Sequence, residues 1–554
     1  MGGLTAKAMI GRKPCSAAPV PVDVAVSSDI APAIKTIARS FDSRNLVVHG
    51  HCVTIRVTGG DTALQADQID GQAPRHGQAA PAAWIPDSSL WVDVARTYPE
   101  GAQAIQAAGR SVARSPLLLV TTTAVAARTH LFAVPPAWTT LLPPADGGPP
   151  SRLGLSVELP DPADSAAGMT TLIEISRVLG DNAAARTAIT RFVLGAQPTE
   201  DFDSAAGLRQ FVQSTLPPFS RQAVTVASEQ AVLAYDKVTP NAPLDARYPT
   251  GSAASLGSPE LDYPYVLTTS KAVPRQAATE FGDYLHSSYA RAAVRYYGFR
   301  DAAGAPGPIP LFTGLASQPL QLASAPSASE VAANLQVWQK LGLGSRDLTL
   351  IDVSPAMSHP DGNGTQTLEQ ALTQTAARGL ALFPDSTQMG LWEIGSSSSL
   401  SHPYHQLVPV GPLPASYGLL TRRTQLQQII ARLRPGSGAL ALHDAIWAAY
   451  QHMTATYASN YANAVLVLTS GVDSARGDMP LASLLRKLRA LYNPGKKVEI
   501  VILMIGRSGS FTAMQEVADA TGGVAYQITN PAQVGKIFVE ALAHRMCDQG
   551  CAAP

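Results

Sequence analysis

The chain of 554 residues lacks a net charge and is poor in charged side chains altogether. Its 41 basic residues balance 41 acidic ones, and only 15% of its positions are charged. Proteins that bind nucleic acid or an anionic membrane surface usually carry a basic patch or a basic excess. This composition favours neither partner, and we expect the protein to bind no nucleic acid.

Long apolar runs are also missing. No window approaches the roughly 20 apolar residues that a membrane-spanning helix needs, so we predict no transmembrane segment. Residues 1–14 carry Lys7, Arg12 and Lys13 and no apolar run of signal-peptide length. Two locations remain open. Either the true start of the reading frame lies upstream and the protein is exported, or the protein is cytoplasmic because it has no signal peptide.

Motifs that mark common catalytic sites are absent as well. The sequence has no Gly-x-Ser-x-Gly elbow, no P-loop, no His-Glu-x-x-His pair, and no Gly-x-Gly-x-x-Gly between a strand and a helix. His402 and His405 lie in a Ser-rich loop without acidic neighbours, and the turn at Asp161-Pro162 gives Asp161 a structural role. We predict that the protein is not an enzyme.

Cysteine is scarce, with four residues at Cys15, Cys52, Cys547 and Cys551. The last two form a Cys-x-x-x-Cys tail. Two cysteines are a weak zinc signal, because a structural zinc site usually takes four Cys or His ligands. A local disulfide between Cys547 and Cys551 in an exported protein is the favoured interpretation, and inert thiols are the alternative.

The first half of the chain alternates short apolar strands with amphipathic helices. Residues 22–26 alternate apolar and polar side chains as a strand does, and the helix after them places Ile30, Ile34, Ile37 and Phe41 on one face. The same order of strand, turn and helix recurs downstream. This order predicts a parallel α/β sheet.

Four features follow one another in a fixed order across this half. They are Ser27-Ser28-Asp29 before the helix with Phe41, the turn from Asp161-Pro162 to Gly168, Tyr263-Pro264, and the run from 278–281 to Gly298-Phe299. In this order, residues 22–300 resemble a type 2 periplasmic solute-binding domain of the molybdate and sulfate class. The resemblance implies two α/β lobes that close on a ligand by a hinge.

The resemblance also implies where the ligand binds. Contacts in this family come from loops after strands and from helix N-termini, where backbone N–H groups are free. The residues at these positions here are Ser27, Ser28, Asp61, Thr62, Ser88, Ser89 and Glu229. Asp29 and Asp87 lie in the same turns, and buried carboxylates would repel an oxyanion. We therefore expect a polyol, sugar or amine ligand, and Trp84 and Trp91 are either an aromatic face for it or core residues.

Residues 301–329 are rich in Pro, Ser and Ala and are predicted to form a linker. The alternation of strands and helices resumes from residue 330. Strands are expected at 348–352, 389–394, 464–469 and 498–505. The pattern predicts a doubly wound parallel sheet, whose sites lie at the carboxyl ends of its strands.

The first strand of this half ends in an Asp-x-Ser turn at Asp352 and Ser354. With its downstream partners it resembles the first strand of a von Willebrand factor A domain, which holds Mg²⁺ through Asp-x-Ser-x-Ser, a Thr and an Asp. Here Ala356 replaces the second serine, Leu440 stands at the threonine position, and Ser470 stands at the second aspartate position. We expect a degenerate metal-ion-dependent adhesion site without tightly bound metal.

The alternative is a rebuilt Mg²⁺ site formed by Asp352, Ser354, Ser470 and Asp473. In the degenerate case, Asp352 and Ser354 would only cap the turn that follows their strand. In either case the domain is interpreted as an interaction module for a protein partner that the sequence does not identify, since a fold alone does not define a function.

The expected order is a tail at 1–21, a bilobal solute-binding-like domain at 22–300, the linker at 301–329, an A-like domain at 330–546, and a Cys-containing tail at 547–554. The chain is similar to actinobacterial envelope proteins that join these two modules. That similarity implies a non-enzymatic envelope or secreted protein that binds a small solute in its first half and a protein partner, independently of metal, in its second. A cytoplasmic chelatase-like or assembly-chaperone protein is the alternative, and a pure scaffold is the third.

Overall fold

The structure is a computed structural model. It describes residues 19–75, 79–143, 155–199, 204–216, 221–250, 257–308, 315–361, 366–396, 402–472, 474–507 and 509–545. The chain divides into two compact units, Met1–Trp338 and Gln339–Pro554. Among the described residues, no helix combines the length and the apolar character that crossing a bilayer requires.

The first unit alternates strands and helices along its described residues. Its strands are β1 (Val20–Ser27), β2 (Val47–Val48), β3 (His51–Gly60), β4 (Ala83–Ile85), β5 (Ala107–Ser111), β6 (Ala113–Thr122), β7 (Ser156–Pro160), β8 (Ala196–Thr199), β9 (Ala223–Ser228), β10 (Leu244–Arg247), β11 (Glu260–Leu261), β12 (Pro264–Leu267) and β13 (Arg300–Asp301). Its helices are α1 (Ala31–Asp42), α2 (Thr62–Asp70), α3 (Ser89–Arg96), α4 (Pro99–Ala104), α5 (Thr123–Thr129), α6 (Ala166–Leu179), α7 (Ala183–Gly195), α8 (Ala205–Thr215), α9 (Glu229–Val238), α10 (Ala272–Tyr284) and α11 (Ser288–Tyr296). Helix α12 (Ala328–Gly342) spans the boundary between the units.

These strands form two sheets, one in each lobe. The first sheet has the order β2-β3-β1-β4-β12-β5, and the second has the order β10-β6-β9-β7-β8, with β11 and β13 also paired to β6. Strands β3, β1 and β4 are parallel neighbours, as are β9, β7 and β8. The predicted fold class of the first half, a bilobal α/β domain with parallel strands, is therefore confirmed.

The chain crosses between the lobes at three points within the described residues. The crossings lie at Val112, at Asp262 and Tyr263, and at Gly298 and Phe299. The Val112 N–H donates to the Tyr263 carbonyl at 3.0 Å, and the Phe299 ring packs edge-on against Tyr263 with the ring centroids 5.1 Å apart. These contacts join the three crossings into one connection between the lobes, which we call the hinge.

Helix α1 shows how the first lobe forms its core. Its apolar face buries Ile34, Ile37 and Phe41, as the spacing predicts, and Phe41 packs edge-on against Phe281 of α10 at 5.2 Å between ring centroids. Burying each of these side chains contributes roughly 1.5–3 kcal/mol. The helix is thereby fixed with its N-terminus at the carboxyl end of β1.

The segment after β13, predicted to be a linker, contacts the first unit along its described part. The Ser258 N–H donates to the Gln321 carbonyl at 2.8 Å, and the Ala323 N–H donates back to the Ser258 carbonyl at 3.0 Å. Arg177 on α6 donates to the Ser324 carbonyl at 3.0 Å. The segment therefore lies along the surface of the first unit.

The start of α12 also belongs to the first unit. Arg177 forms an ion pair with Glu330 at 2.9 Å, and the indole N–H of Trp338 donates to Oδ1 of Asp161 at 2.8 Å. The boundary after Trp338 thus falls inside a helix that the sequence assigned wholly to the second domain. A Pro-rich composition marks a linker but does not show such side-chain contacts.

The second unit is an α/β structure built on one main sheet. Its strands are β14 (Gly344–Asp352), β15 (Gln388–Ile394), β16 (Tyr404–Pro412), β17 (Ser416–Tyr417), β18 (Leu420–Thr421), β19 (Tyr461–Thr469), β20 (Val498–Ile505) and β21 (Val524–Ile528). Its helices are α13 (Leu368–Leu382), α14 (Arg422–Arg432), α15 (Leu442–Ala455), α16 (Leu481–Leu491), α17 (Phe511–Asp519) and α18 (Val534–His544).

The main sheet of this unit has the order β16-β15-β14-β19-β20-β21, and within it β16 runs antiparallel at one edge. One core lies on each face of the sheet, because Leu348 and Leu350 of β14 point to one side and Ile351 points to the other. The predicted doubly wound parallel sheet is confirmed. Its strand order reverses between β14 and β19, which is where such sheets form their sites.

Candidate functional site

The predicted ligand loops of the first lobe lie side by side at one edge of its sheet. Strands β3, β1 and β4 are parallel neighbours, and their register pairs Ser27 with Gly60 and Val26 with Ile85. The loops that follow these strands therefore meet at one edge. The structure in this way brings together six sequence-predicted residues, Ser27, Ser28, Asp61, Thr62, Ser88 and Ser89.

Three of these six side chains face inward. Ser27, Thr62 and Ser88 are buried. Ser88 caps α3, because its hydroxyl accepts the Leu90 N–H at 3.3 Å. Such a cap satisfies a backbone donor that the helix leaves free. These three side chains lie beneath the accessible surface of the edge.

The other three are accessible. Ser28 and Asp61 are exposed, and Ser89 is half-buried. Asp61 caps α2 by accepting the Leu64 N–H at 2.7 Å, and the Ser89 N–H donates to Oδ1 of Asp262 at 2.7 Å. A solute at this edge would meet two hydroxyls and a carboxylate.

Asp29 lies in the same edge and is held by the hinge. Its Oδ1 accepts from the Ser27 hydroxyl and from the Ile30 N–H at 2.7 Å, and its Oδ2 accepts from the Tyr263 hydroxyl. Desolvation raises the pKa of Asp29 against these hydrogen bonds, which lower it. Tyr263 has a φ of 41°, a left-handed conformation that is uncommon for a bulky residue and often found at functional positions.

A second group of charges lies at the same hinge. Glu260 pairs with Arg114, and burial raises the pKa of Glu260 to about 7 despite that cation. Burial also raises the pKa of Asp262, and its charge adds to the shift of Glu260. Within the described residues, Oε2 of Glu260 has no hydrogen-bond partner. The hinge side of the edge therefore carries more carboxylates than cations.

Glu229, predicted to contact the ligand, is engaged by the protein itself. Arg300 donates its Nε to Oε1 at 3.0 Å and its Nη2 to Oε2 at 2.9 Å, and the Tyr248 hydroxyl donates to Oε2. Glu229 and Arg300 are each 1% exposed. Arg300 also donates to the carbonyls of Ala316 and Gln318, at 2.6 and 2.8 Å. Through Arg300, Glu229 anchors the segment after β13 to the second lobe, and its predicted ligand contact stays a prediction.

The two tryptophans near the third loop belong to the core. Trp84 is fully buried and donates to the side-chain carbonyl of Gln65 at 2.9 Å, and Trp91 is 6% exposed. Neither presents an aromatic face to a ligand. Of the two interpretations from the sequence, the structure supports the core one.

The residues that the sequence interpretation missed come from distant parts of the chain. Asp262 reaches Ser89 across 173 positions, and Tyr263 reaches Asp29 across 234. The Tyr263-Pro264 step was noted as a family feature and was the available signal. Nothing local marked Arg114 as the partner of a carboxylate.

Cys52, in β3, is disulfide-bonded. Disulfides persist in oxidising compartments outside the cytosol. The other cysteines, Cys15, Cys547 and Cys551, lie outside the described residues. The predicted Cys547–Cys551 disulfide stays a prediction, and Cys52 supports export.

In the second unit, Asp352 ends β14 at the point where the strand order reverses. Its Oδ1 accepts the Ser354 N–H at 2.9 Å, and its Oδ2 accepts the Thr469 hydroxyl at 2.9 Å, the Ser470 N–H at 3.2 Å and the Ser470 hydroxyl at 3.3 Å. Asp352 is 1% exposed, and Ser354 and Ser470 are fully buried. The structure brings the three predicted residues together, and the carboxylate joins the loops after β14 and β19.

Leu440, at the position assigned to the family threonine, is fully buried. Its N–H donates to the Ser474 hydroxyl at 2.8 Å, and its carbonyl accepts the Ser474 N–H at 3.1 Å. Further along this loop, Asp478 accepts the N–H groups of His443 and Asp444 at 2.9 and 3.0 Å and so caps α15. The loop after β19 therefore packs over the helix end that would face a metal.

Part of the oxygen set that the family uses for Mg²⁺ is missing at this place. Both oxygens of Asp352 accept internal hydrogen bonds, and Ala356 and Leu440 offer no side-chain oxygen. In the described part of the chain, no group of three or more His, Cys, Asp or Glu side chains is arranged to hold a metal ion. Asp473, the fourth member of the alternative site, lies outside the described residues.

Comparison with known proteins identifies the family of the first half. The family of bacterial extracellular solute-binding proteins matches residues 22–300, or 279 of the 554 residues. The chain belongs to this family. Membership of the solute-binding family supports a binding function, and together with the Cys52 disulfide it favours the envelope or secreted location.

Individual relatives of this solute-binding protein are more distant. An uncharacterized protein of Mycobacterium tuberculosis H37Rv is 26% identical over 528 residues, which are 90% of this chain and 73% of the relative. The sulfate-binding protein SubI of the same organism is 14% identical over 51% of this chain and 86% of its own, with a TM-score of 0.35. A von Willebrand factor type A structure from Catenulispora acidiphila is 18% identical over 37% of this chain and 43% of its own, with a TM-score of 0.29.

Proposed function

We propose that this protein is an exported, non-enzymatic binding protein with two separate tasks. Its first unit holds a small polyol, sugar or amine at the edge formed by the loops after β1, β3 and β4. Its second unit binds a protein partner without a metal ion. Family membership supports the first task at the level of solute binding.

The choice of solute rests on the balance of charge at this edge. The carboxylates of Asp29, Asp61, Asp262 and Glu260 lie on the edge or its hinge side, and Arg114 pairs with Glu260. The raised pKa values of Asp29, Asp262 and Glu260 mean that burial already disfavours their negative charge. An oxyanion would bring further negative charge to this edge. Hydroxyl or ammonium donors would instead pair with the carboxylate oxygens.

Binding in this family type proceeds by closure of the lobes around the hinge. Tyr263 lies on the crossing between the lobes and at the same time donates to Asp29 of the edge. A solute that pairs with this edge therefore acts on a loop that the hinge holds. This connection supports coupling between solute contact and lobe closure.

The proposal for the second unit rests on the loops around Asp352. Their internal hydrogen bonds hold the ends of β14 and β19 in one arrangement without a metal. A surface that is already ordered binds a partner at a smaller entropic cost. We assign partner binding to this end of the sheet.

Thermal melting of the full chain against a solute panel tests the first task. A ligand that binds only the native state raises the melting temperature by mass action. We expect a shift with a member of the set sorbitol, glucose, ethanolamine and putrescine, and none with sulfate or molybdate. A shift with sulfate or molybdate alone would contradict the proposed solute class, and no shift with any solute would contradict binding at this edge.

A further inference from the structure

The second unit has a partly open pocket of about 100 Å³ between one face of its sheet and the helices α13, α14 and α18. Its walls are apolar and include Ile351, Leu380, Leu391, Leu426 and Phe538. For comparison, an engineered apolar cavity of about 150 Å³ is large enough to bind benzene. This pocket is smaller but partly open, so it has room for a short alkyl group or for part of a small ring.

One end of this cavity is polar. The sheet register places Asp347 of β14 beside Ala464 of β19, and Ala464 beside Glu499 of β20. Thr349 lies two residues further along β14 and so points to the same face. Because Ala464 is small, it leaves space between the two acidic side chains. Arg545, just beyond α18, completes this end.

Two polar atoms at this end have no partner. Asp347 is 3% exposed and Thr349 is 7% exposed. Neither Oδ2 of Asp347 nor Oγ1 of Thr349 has a hydrogen-bond partner in the described part of the chain. Buried polar groups in native proteins are nearly always hydrogen-bonded, so two unpaired atoms that line one cavity call for a ligand that satisfies them.

The neighbouring charges do not supply this pairing. Arg545 donates to the Ser345 hydroxyl at 2.8 Å, and Glu499 pairs with Lys497 at 2.6 Å. The charge of Arg545 lowers the pKa of Asp347, but burial outweighs it and raises that pKa to about 7. A group that donates a hydrogen bond to Oδ2 of Asp347 would offset the free-energy cost of burying this side chain.

We propose that the cavity is a second binding site, for a small apolar molecule with a hydrogen-bond-donating head group. The head donates to Oδ2 of Asp347 and bonds Oγ1 of Thr349, and the apolar part fills the space under α18. The site lies five residues before Asp352 on the same strand, a distance of about 16 Å. It is thus separate from the Asp352 loops and from the solute edge of the first unit.

Four probes with one ring and different head groups test this site on the full chain: benzylamine, benzyl alcohol, toluene and benzoate. We expect benzylamine and benzyl alcohol to bind more tightly than toluene, measured by titration calorimetry and by the shift of the melting curve. Benzoate should not bind, since it brings a second carboxylate to Asp347. If none of the four binds, or if benzoate binds best, the proposal is wrong.

A matched pair of variants locates the contact. Thr349→Val and Thr387→Val each remove a buried hydroxyl that has no partner, but only Thr349 lines the cavity. Thr349→Val should weaken benzyl alcohol binding about three- to tenfold, the loss expected for one hydrogen bond. Thr387→Val should leave it unchanged. Equal effects of the two substitutions would overturn the assignment.

A third variant blocks the space itself. Ala464→Leu places a larger side chain between Asp347 and Glu499 and should abolish binding of all probes. If this variant does not fold, the threonine pair still decides the question, because both of its members keep the shape of the side chain. Probe binding that survives in folded Ala464→Leu would place the probes elsewhere.

Discussion

The hydroxyl of Tyr263 donates a hydrogen bond to Oδ2 of Asp29, and this bond joins the hinge of the first unit to its ligand edge. Tyr263 is fully buried and takes a left-handed backbone conformation at φ 41°. Its N–H also donates to the Asp87 carbonyl at 3.1 Å, so two of the three ligand loops depend on one residue of a crossing. A change at Tyr263 should therefore affect both stability and solute binding.

Tyr263→Phe tests this relationship, because it removes the hydroxyl and keeps the ring. We expect a loss of about 1.5–3 kcal/mol of stability, the usual range for a hydrogen bond to a charged group. The pKa of Asp29 should rise further, since the bond from Tyr263 lowers it. Urea unfolding of the full chain measures the first effect.

Tyr289→Phe is the control for this substitution. Tyr289 is 47% exposed, so the loss of its hydroxyl should leave stability within about 0.5 kcal/mol of the unchanged protein. Equal stability of the two variants would show that the bond between Tyr263 and Asp29 does not hold the edge.

The ion pair of Arg300 and Glu229 should contribute strongly to the stability of the first unit. Arg300→Met leaves the carboxylate of Glu229 buried without its cation, and breaking a buried pair in this way costs about 3–5 kcal/mol. Arg56→Met is the matched control, because Arg56 is 61% exposed and pairs with Asp23 at the surface. Exposed pairs contribute little to stability. Denaturant unfolding that gives the same cost for both would refute the anchor role.

Asp347 should make the second unit less stable as the pH rises. Its pKa is about 7 in the folded chain against 3.8 as the ordinary value. Between these two values the folded state holds a proton that the unfolded state has lost, so stability is full below about pH 4 and falls until about pH 7. The shift of about three pKa units sets an upper bound of about 4 kcal/mol.

Asp347→Asn should remove this part of the pH dependence in melting curves between pH 4 and 8. The exposed Glu516 provides the control, and Glu516→Gln should leave the pH profile as it is. An Asp347→Asn profile that overlays the unchanged protein would contradict the assignment.

Asp352 should stabilise the second unit with or without metal. Asp352→Asn replaces one accepting oxygen by an amide group and should cost about 1–3 kcal/mol, because donors near it lose their acceptor. The melting temperature of both forms should be the same in Mg²⁺ and in EDTA. A rise with Mg²⁺ that the substitution abolishes would show a working adhesion site instead.

The sequence was a good guide to elements and strand ends. Periodicity predicted helix α1 with its buried Phe41, and the order of strands and helices predicted both parallel sheets. The resemblance to solute-binding domains implied that Ser27, Asp61 and Ser89 lie in ligand loops, and the structure brings these loops to one edge. The elements need only local pattern, whereas the loop positions came from the resemblance.

The sequence was a poor guide to long-range pairing. Glu229 follows a strand and begins a helix, as a ligand residue would, but its partner Arg300 lies on a strand 71 positions later. Trp338 was assigned to the second domain, and its indole binds Asp161 of the first unit. Periodicity carries no information about which distant side chains meet, and such pairs decide which carboxylates are available.

Titration calorimetry on the purified full chain tests the central claim most directly, with ethanolamine, putrescine, sorbitol, glucose and sulfate as the titrants. Asp61→Asn keeps the helix cap and removes the charge, because asparagine caps as well as aspartate. Asp181→Asn, at a position 95% exposed on the second lobe, is its control.

We predict that an amine or polyol titrant binds the unchanged protein and that sulfate does not. Asp61→Asn should weaken the binding of the amine or polyol about tenfold, equivalent to about 1.4 kcal/mol, and Asp181→Asn should leave it unchanged. Binding of sulfate, or equal affinity of the amine or polyol for Asp61→Asn and the unchanged protein, would contradict a carboxylate-lined solute site.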